Sequence, residues 1–520
     1  MLFRCTVKSV LNTDHLSVYV NCLRKITVDL QVTSRHRVKV YNRDYCSMDK
    51  LRDYFRGYNW NAINLSIDAG CITVDDAFSD FLNVIRHAMD NVLGFKTVTM
   101  RGSEPPYITP AVRVMLRQRN KLLRRGKTEK AASLAEKFGK MILDSRAKLL
   151  TKARATDSRQ MWNLIRSSGT LSSKNRAHPM SNEWPVSCQD AEALNSHFAN
   201  IATDPQYSGK LIENVITQAA ASADRGGNEA KFVPYAPVTI AAMLGRLKST
   251  APGPEGIPYW IYKTFAGELS SVMCRLINYS LSTSTVPAAW RTAIITPIPK
   301  VKKVSSSSDF RPISVTSIFS RMTERLVVKD FLLPCIDPTM LYDQYAYKPT
   351  GSTTCALIDF SYRINCLLET NRHVRCVFID FTQAFDRIDH FILISKLLDL
   401  DIPRWLIRWI ASFLSDRTQA TKVDFVISRL LRINRSIIQG SGLGPILFLI
   451  YASDLKTLDV SNYLLKYADD STLINPETAK TSLEEEMSNI MSWASINKML
   501  INLIKTKEIV FTRPNPRMFN

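Results

Sequence analysis

The sequence predicts an α+β fold in two parts, a mainly helical and strongly basic N-terminal region followed by a compact region of alternating strands and helices. Three observations lead there. The chain has 520 residues, more than one ordinary core holds, so two or three domains are expected. Hydrophobic residues make up 45%, a globular proportion, with no low-complexity block. Beyond the loop Thr250-Ala-Pro-Gly-Pro-Glu-Gly-Ile-Pro258, short apolar runs alternate with helical spacing to the end.

In chain order, residues 1–30 alternate apolar and polar at Leu16, Val18 and Val20, as a strand or two would. Helical spacing follows from Met48 to Asn91, within a spacer of residues 31–110 that ends at the proline-rich break Glu104 to Pro110. Residues 111–170 form a basic arm whose first fifty residues read as one or two long amphipathic helices. They carry fifteen Lys and Arg against Glu129, Glu136, Asp144 and Asp157, about half of the net charge of +21. Such an imbalance suits a phosphate-tracking surface, while a merely solvated helix face would not need it. Residues 171–243 form a loop-rich connector with a helix near Asp190 to Ile201, and residues 244–520 the compact region.

The ten cysteines include no C-x-x-C pair, so neither zinc-knuckle nor disulfide-framework spacing is present, and reduced thiols inside the cell are expected. The longest apolar run, Pro445 to Tyr451, is far too short to span a bilayer. No membrane partner is expected.

The chemistry concentrates late in the chain. Tyr467-Ala468-Asp469-Asp470 lies between two short apolar runs, which places an acidic pair at or beside a hairpin turn. Neighbouring carboxylates repel unless a cation sits between them. The tetrad alone is weak evidence, because turns also favour Asp for its side-chain-to-backbone bonds. About ninety residues upstream, the buried-strand run Cys376 to Ile379 ends in Asp380. A carboxylate at a strand end facing a hairpin with two more is how separate segments assemble a two-metal site. Between them, Gln439-Gly440-Ser441-Gly442-Leu443-Gly444-Pro445 allows close backbone approach and then opens a buried helix.

Together these segments resemble reverse transcriptase motifs A, B, C and D in order and spacing. The matching pieces are Asp380-x-x-x-x-Phe385, the Gln439 to Pro445 loop, the Tyr467 to Asp470 tetrad and Asn502-Leu-Ile-Lys505-Thr506-Lys507. The non-LTR (LINE-type) retrotransposon version is the most similar, as in the stretch Phe378 to His390 and the block Trp493 to Phe511. Pro297-Ile-Pro-Lys300, Asp309-Phe-Arg311-Pro-Ile-Ser314 and the segment Gln344 to Thr353 resemble its fingers motifs. The resemblance covers roughly Leu244 to the end. It implies right-hand polymerase fingers and palm, with an antiparallel palm sheet flanked by helices. It also implies an RNA-directed DNA polymerase extending a primer 3′-end with dNTPs, using two Mg²⁺ ions or Mn²⁺ in their place. RNA template and DNA primer or target are the implied partners, in a ribonucleoprotein of cytoplasm and nucleus.

Carried over residue by residue, Asp380 and Asp469 resemble the metal-bridging ligands, with Asp470 in support. Phe385 stands where the family keeps an aromatic gate against the 2′-hydroxyl. Arg311 and Lys300 resemble the finger residues that hold the triphosphate, one a fork donor and the other a point charge. Gln439 and Gly440 would line the template–nucleotide pocket. Lys505 resembles the general acid for pyrophosphate, and a surface strand lysine is an equal reading. Asp389 reads first as the N-cap of the helix after it, and His390 not as a ligand.

Some positions depart from the family pattern. Ser436-Ile437-Ile438 stands where many relatives have Gly-Val-Pro, and Glu255 where Gly-Pro-Asp is usual. After Lys505 the sequence runs only to Asn520, which leaves the expected hand without its thumb. Asn12-Thr-Asp14-His15 resembles the end of an apurinic-type endonuclease, and a chance Thr-Asp-His is an equal reading. A rival expectation is a weak or silent relic that only binds nucleic acid through its basic arm.

Overall fold

The computed structural model describes residues 3–9, 16–22, 35–101, 109–156, 184, 190–207, 214, 216–217, 232–301, 303–348 and 350–513. Thr13-Asp14-His15, Arg159 and the segment 514–520 lie outside them. The N-terminal elements are β1 (Phe3–Ser9), β2 (Leu16–Cys22), β3 (Arg35–Tyr41), α1 (Tyr45–Gly57), α2 (Asn61–Asp68), α3 (Val74–His87), β4 (Phe95–Arg101), α4 (Pro110–Arg124) and α5 (Thr128–Thr156). The middle of the chain supplies α6 (Ala191–Ile201), α7 (Pro237–Gly245), α8 (Tyr259–Thr264), α9 (Ala266–Ser282), β5 (Thr292–Pro299), β6 (Phe310–Val315) and α10 (Ile318–Val327). Then come α11 (Thr353–Thr370), β7 (His373–Ile379), α12 (His390–Leu398), α13 (Arg404–Leu414), β8 (Arg417–Val423), β9 (Val426–Ile427) and β10 (Leu431–Ile433). The last are α14 (Gly444–Tyr451), β11 (Tyr463–Tyr467), β12 (Asp470–Pro476), α15 (Leu483–Ile496) and β13 (Lys507–Thr512).

The chain divides into two compact units, Met1–Val40 with Thr97–His178, and Tyr41–Lys96 with Pro179–Asn520. In the first, β1 and β2 pair antiparallel from Phe3↔Cys22 to Ser9↔Leu16. Thr109 caps α4 by accepting from Val112 N, and Pro110 opens the helix where a missing N–H costs nothing. The helix ends at Arg124, and just beyond its cap Gly126 lies at φ +68°, a left-handed conformation that favours glycine. The Arg119 guanidinium lies 5.7 Å from the Phe138 ring, joining α4 to α5.

The second unit holds the large core. Helices α1 and α3 send Phe55, Phe78 and Phe81 against Phe265, Trp290 and Phe319, with ring centroids 5.1–5.7 Å apart. The helices Tyr45 to His87, read as a spacer, therefore share a core with the later chain. One sheet has the order β10-β8-β5-β6, with β9 on β8. Its β5 pairs antiparallel with β6 and parallel with β8. The other has the order β11-β12-β7-β13 and is antiparallel throughout. Behind it, α14 is apolar on every side, and all of its residues but Pro445 are buried. The start of α15 is fixed by a capping box, Ser482 with Glu485, and three Glu residues in the first turn favour the helix dipole.

Candidate active site

The site is built where β7 ends beside the β11–β12 hairpin. Tyr467 pairs with Asp470, leaving Ala468 and Asp469 as a two-residue loop. Ala468 sits at φ +56°, a left-handed conformation that costs a non-glycine residue about 1–2 kcal/mol. Across the sheet, Ser471 pairs with Ile379, so the next residue of β7's continuation, Asp380, is level with Asp470. The three predicted carboxylates thus meet at one sheet end.

Their electrostatics agree with that placement. Asp469 has its pKa raised, mainly by burial and then by the Asp470 and Asp380 carboxylates, with Arg311 opposing. Asp470 is raised by burial and by Asp380, with Lys505 opposing. Like charges held this close are the donor set a hard cation needs. Among the described residues no group of three or more His, Cys, Asp or Glu is placed to hold a metal ion by itself, Asp380, Asp469 and Asp470 included. Magnesium commonly fills the rest of its shell from substrate phosphates and water.

The turn after α15 wraps Asp380. Asn502 N donates to Asp380 O at 2.7 Å, and Asp380 N donates to Thr506 Oγ1 at 3.4 Å. Lys505 reaches over, its Nζ 3.6 Å from Asp380 Oδ2 with the side chain two-thirds exposed. From the other sheet, β5 and β6 bring Ile298 opposite Arg311, and Lys300 N donates to Asp309 O at 2.7 Å. Burial and the nearby Arg311 lower the Lys300 pKa, while Asp386 raises it.

Phe385 stacks on Phe448 of α14, centroids 4.4 Å apart and 17° from parallel, with Tyr347 edge-on at 6.5 Å. Gln439 Nε2 donates to both oxygens of Asp386 at 3.0 Å. Burial pushes the Asp386 carboxyl up to about 6, and Gln439 and Lys300 hold it down. Gly440 has φ +116°, and a Cβ there would meet Ser314 O at 2.7 Å. Ser314 N in turn donates to Gln439 O at 3.0 Å, so the loop is stitched to β6. All nine predicted site residues lie in the second unit. Asp389 caps α12, accepting from Ile392 N at 3.0 Å. His390 is fully buried with its Nε2 on Ser436 O at 2.8 Å, and burial pulls its pKa down to about 4.

Sequence reading missed two supports. Glu324, fully buried on α10, accepts from Gly442 N at 2.7 Å and Leu443 N at 3.2 Å. Its signal was a Ser320–Glu324 pair at helical spacing inside an apolar stripe. Gln344, buried beneath the hairpin, had only its place in a fingers motif to mark it.

A sheet end carrying three acids, with basic residues arriving from a second sheet, is the arrangement that a palm with fingers presents. Residues 298–516 match the family described as reverse transcriptase (RNA-dependent DNA polymerase). The chain is 27% identical over 278 residues to the RNA-directed DNA polymerase from mobile element jockey of Drosophila melanogaster, covering 50% of this chain and 30% of that one. Its counterpart in Drosophila funebris is 23% identical over 499 residues, 88% of this chain and 53% of the relative. The probable RNA-directed DNA polymerase from transposon X-element of Drosophila melanogaster is 24% identical over 292 residues, 54% and 32% of the two chains. Residues 298–516 thus match the reverse transcriptase family, and these relatives carry the names of RNA-directed DNA polymerases of mobile elements. The chain spans about a third to a half of the length of these relatives.

Proposed function

We propose that this chain is an RNA-directed DNA polymerase that extends a primer 3′-end on an RNA template by two-metal catalysis. The observation that carries the reading is the meeting of Asp380, Asp469 and Asp470 at one sheet end, with Arg311 and Lys505 in electrostatic reach. Two Mg²⁺ or Mn²⁺ ions would supply activation of the 3′-hydroxyl and stabilisation of the leaving pyrophosphate. Asp380 and Asp469 would hold them, with Asp470 in support. Lys300 and Arg311 bind the triphosphate, a point charge and a planar fork on the same anion. Phe385, braced by Phe448, is the rigid wall against a 2′-hydroxyl. Gln439, oriented by Asp386, and Gly440, which presents bare backbone, line the nucleotide pocket. Lys505 gives a proton to the departing pyrophosphate. The cellular setting that suits this work is a ribonucleoprotein in cytoplasm and nucleus.

The test is primer extension on an RNA template with dNTPs and Mg²⁺, with Asp469→Ala as control. Metal-dependent extension by the unaltered chain, reduced by orders of magnitude in the variant, is expected. Folded protein with no extension in either would sink the activity. A second reading, nucleic-acid binding alone, is favoured by the exposed basic residues Arg117, Lys121, Arg124, Arg125, Lys127, Lys130, Lys137 and Lys140 of α4–α5. It predicts RNA binding that survives Asp469→Ala.

A further inference from the structure

We propose that Gln344 is a positioning residue for Asp469, acting through the left-handed Ala468 between them; this rests on the polymerase reading. The hairpin loop needs Ala468 at φ +56°, where an alanine does not settle by itself. Gln344 grips that residue with both ends of its amide. Its Oε1 accepts from Ala468 N at 2.9 Å, and its Nε2 donates to Ala468 O at 3.4 Å. The same Oε1 accepts from Ala346 N at 2.9 Å and, at 3.0 Å, from Tyr345 N, which it shares with Lys466 O, so the amide is held from its own backbone as well. Gln344 is only 2% exposed, so water cannot replace it at the loop.

The segment that carries Gln344 is itself pinned to the hairpin. Lys466 N donates to Asp343 O at 2.8 Å, and Tyr345 N donates to Lys466 O at 2.9 Å, extending the palm sheet beyond β11. The Asp343 carboxylate, nearly buried, takes Lys466 Nζ at 3.1 Å and Lys456 Nζ at 2.8 Å. Lys466 Nζ also donates to Ala452 O at 3.0 Å, just past α14. A fixed anchor, a gripped alanine and a carboxylate on the next residue form one chain of contacts. Loss of the amide frees the Ala468 peptide to turn, and Asp469 turns with it.

The test compares Gln344→Met, which keeps the volume without the amide, Gln344→Glu, which keeps the accepting oxygen, and each combined with Ala468→Gly. Glycine adopts positive φ unaided, so it removes the need for the grip. In primer extension, Gln344→Met is expected to lower kcat on the order of tenfold to a hundredfold while KM for dNTP stays within about twofold. Ala468→Gly in the same chain is expected to restore most of that loss, and Gln344→Glu to fall between. Mn²⁺ binding to the protein with primer–template, followed by electron paramagnetic resonance, is expected to weaken in Gln344→Met and recover in the double variant. A folded Gln344→Met with the parent kcat and Mn²⁺ affinity overturns the proposal, as does a loss that Ala468→Gly leaves untouched. Should Gln344→Met not fold, a folded double variant as impaired as Asp469→Ala overturns it equally. If the parent chain extends no primer, the polymerase reading fails by itself, and the Mn²⁺ titrations still decide the role of Gln344.

Discussion

At the residue scale, chemistry was legible and backbone strain was not. Asp380, Asp469 and Asp470 could be placed at a strand end and a hairpin from pattern alone, and the metal-assisted transfer proposed for them would demand hard anionic donors there. Nothing in side-chain type announced that Ala468 or Ser436 would lie at positive φ, because closure of the surrounding structure sets those angles. Ser436 is informative because the family pattern that the sequence resembles would put glycine there. It lies at φ +94°, with its N–H on Ile388 O at 2.9 Å and its carbonyl taken by His390. The backbone is held there by two bonds that do not involve the serine side chain. A strained residue of this kind costs about 1–3 kcal/mol. Glycine removes the strain, and its greater freedom in the unfolded chain returns about 0.4–1 kcal/mol of that gain. Ser436→Gly should therefore stabilise the protein by about 1 kcal/mol in urea denaturation with an unchanged m-value. An equal or lower midpoint would show that the φ is not strained in the folded chain.

At the element scale, strands and helices followed from pattern, while the fastenings between them did not. The run Gly444 to Tyr451 could be read as a buried helix because it is apolar throughout. How its preceding loop is held depends on Glu324, 118 residues away in sequence and adjacent in space. Glu324 Oε2 accepts from Gly442 N and Leu443 N, and its Oε1 accepts from Ser320 Oγ at 2.8 Å. The buried Arg417, whose pKa burial lowers to about 9, is drawn back up by the same carboxylate. Removing the carboxylate leaves the Gly442 and Leu443 amides without their acceptor, while Arg417 keeps its bonds to Phe413 O and Trp290 O. Glu324→Ala should then cost about 3 kcal/mol of stability, measured by denaturant unfolding. Glu324→Gln, which keeps an accepting oxygen, should cost less than half as much. Equal costs for the two would assign the effect to packing and not to the loop amides. Extension by the glutamine variant should remain measurable, since Gln439 and Gly440 are also fastened to β6 through Ser314.

At the scale of the whole molecule, the order of elements from β5 onward was readable, and the partition of the chain was less so. Spacing alone cannot tell that Phe55, Phe78 and Phe81 bury their rings with Phe265, Trp290 and Phe319, since long-range partners leave no local pattern. Charge, in contrast, is visible at this scale without any fold. About half of the +21 net charge lies on α4, α5 and the turn between them, where Lys140 pairs with Glu136 at 3.0 Å and most of the other cations among the described side chains stand exposed. An exposed cation gains little from its neighbours in water, and a phosphate chain offers it counterion release. Each phosphate neutralised on single-stranded RNA adds about 0.7 to the slope of log K against log salt. Replacing Arg117, Arg124, Lys127 and Lys130 by Gln should lower that slope by about 2–3 and weaken RNA binding at low salt. All four are exposed, so the melting temperature should hardly move. Asp469→Ala should leave the slope where it was, because a carboxylate neutralises no phosphate by itself. A slope unchanged by the four substitutions would move the RNA-binding surface off α4–α5. A slope reduced as stated, with kcat preserved at saturating primer–template, would separate holding the nucleic acid from copying it.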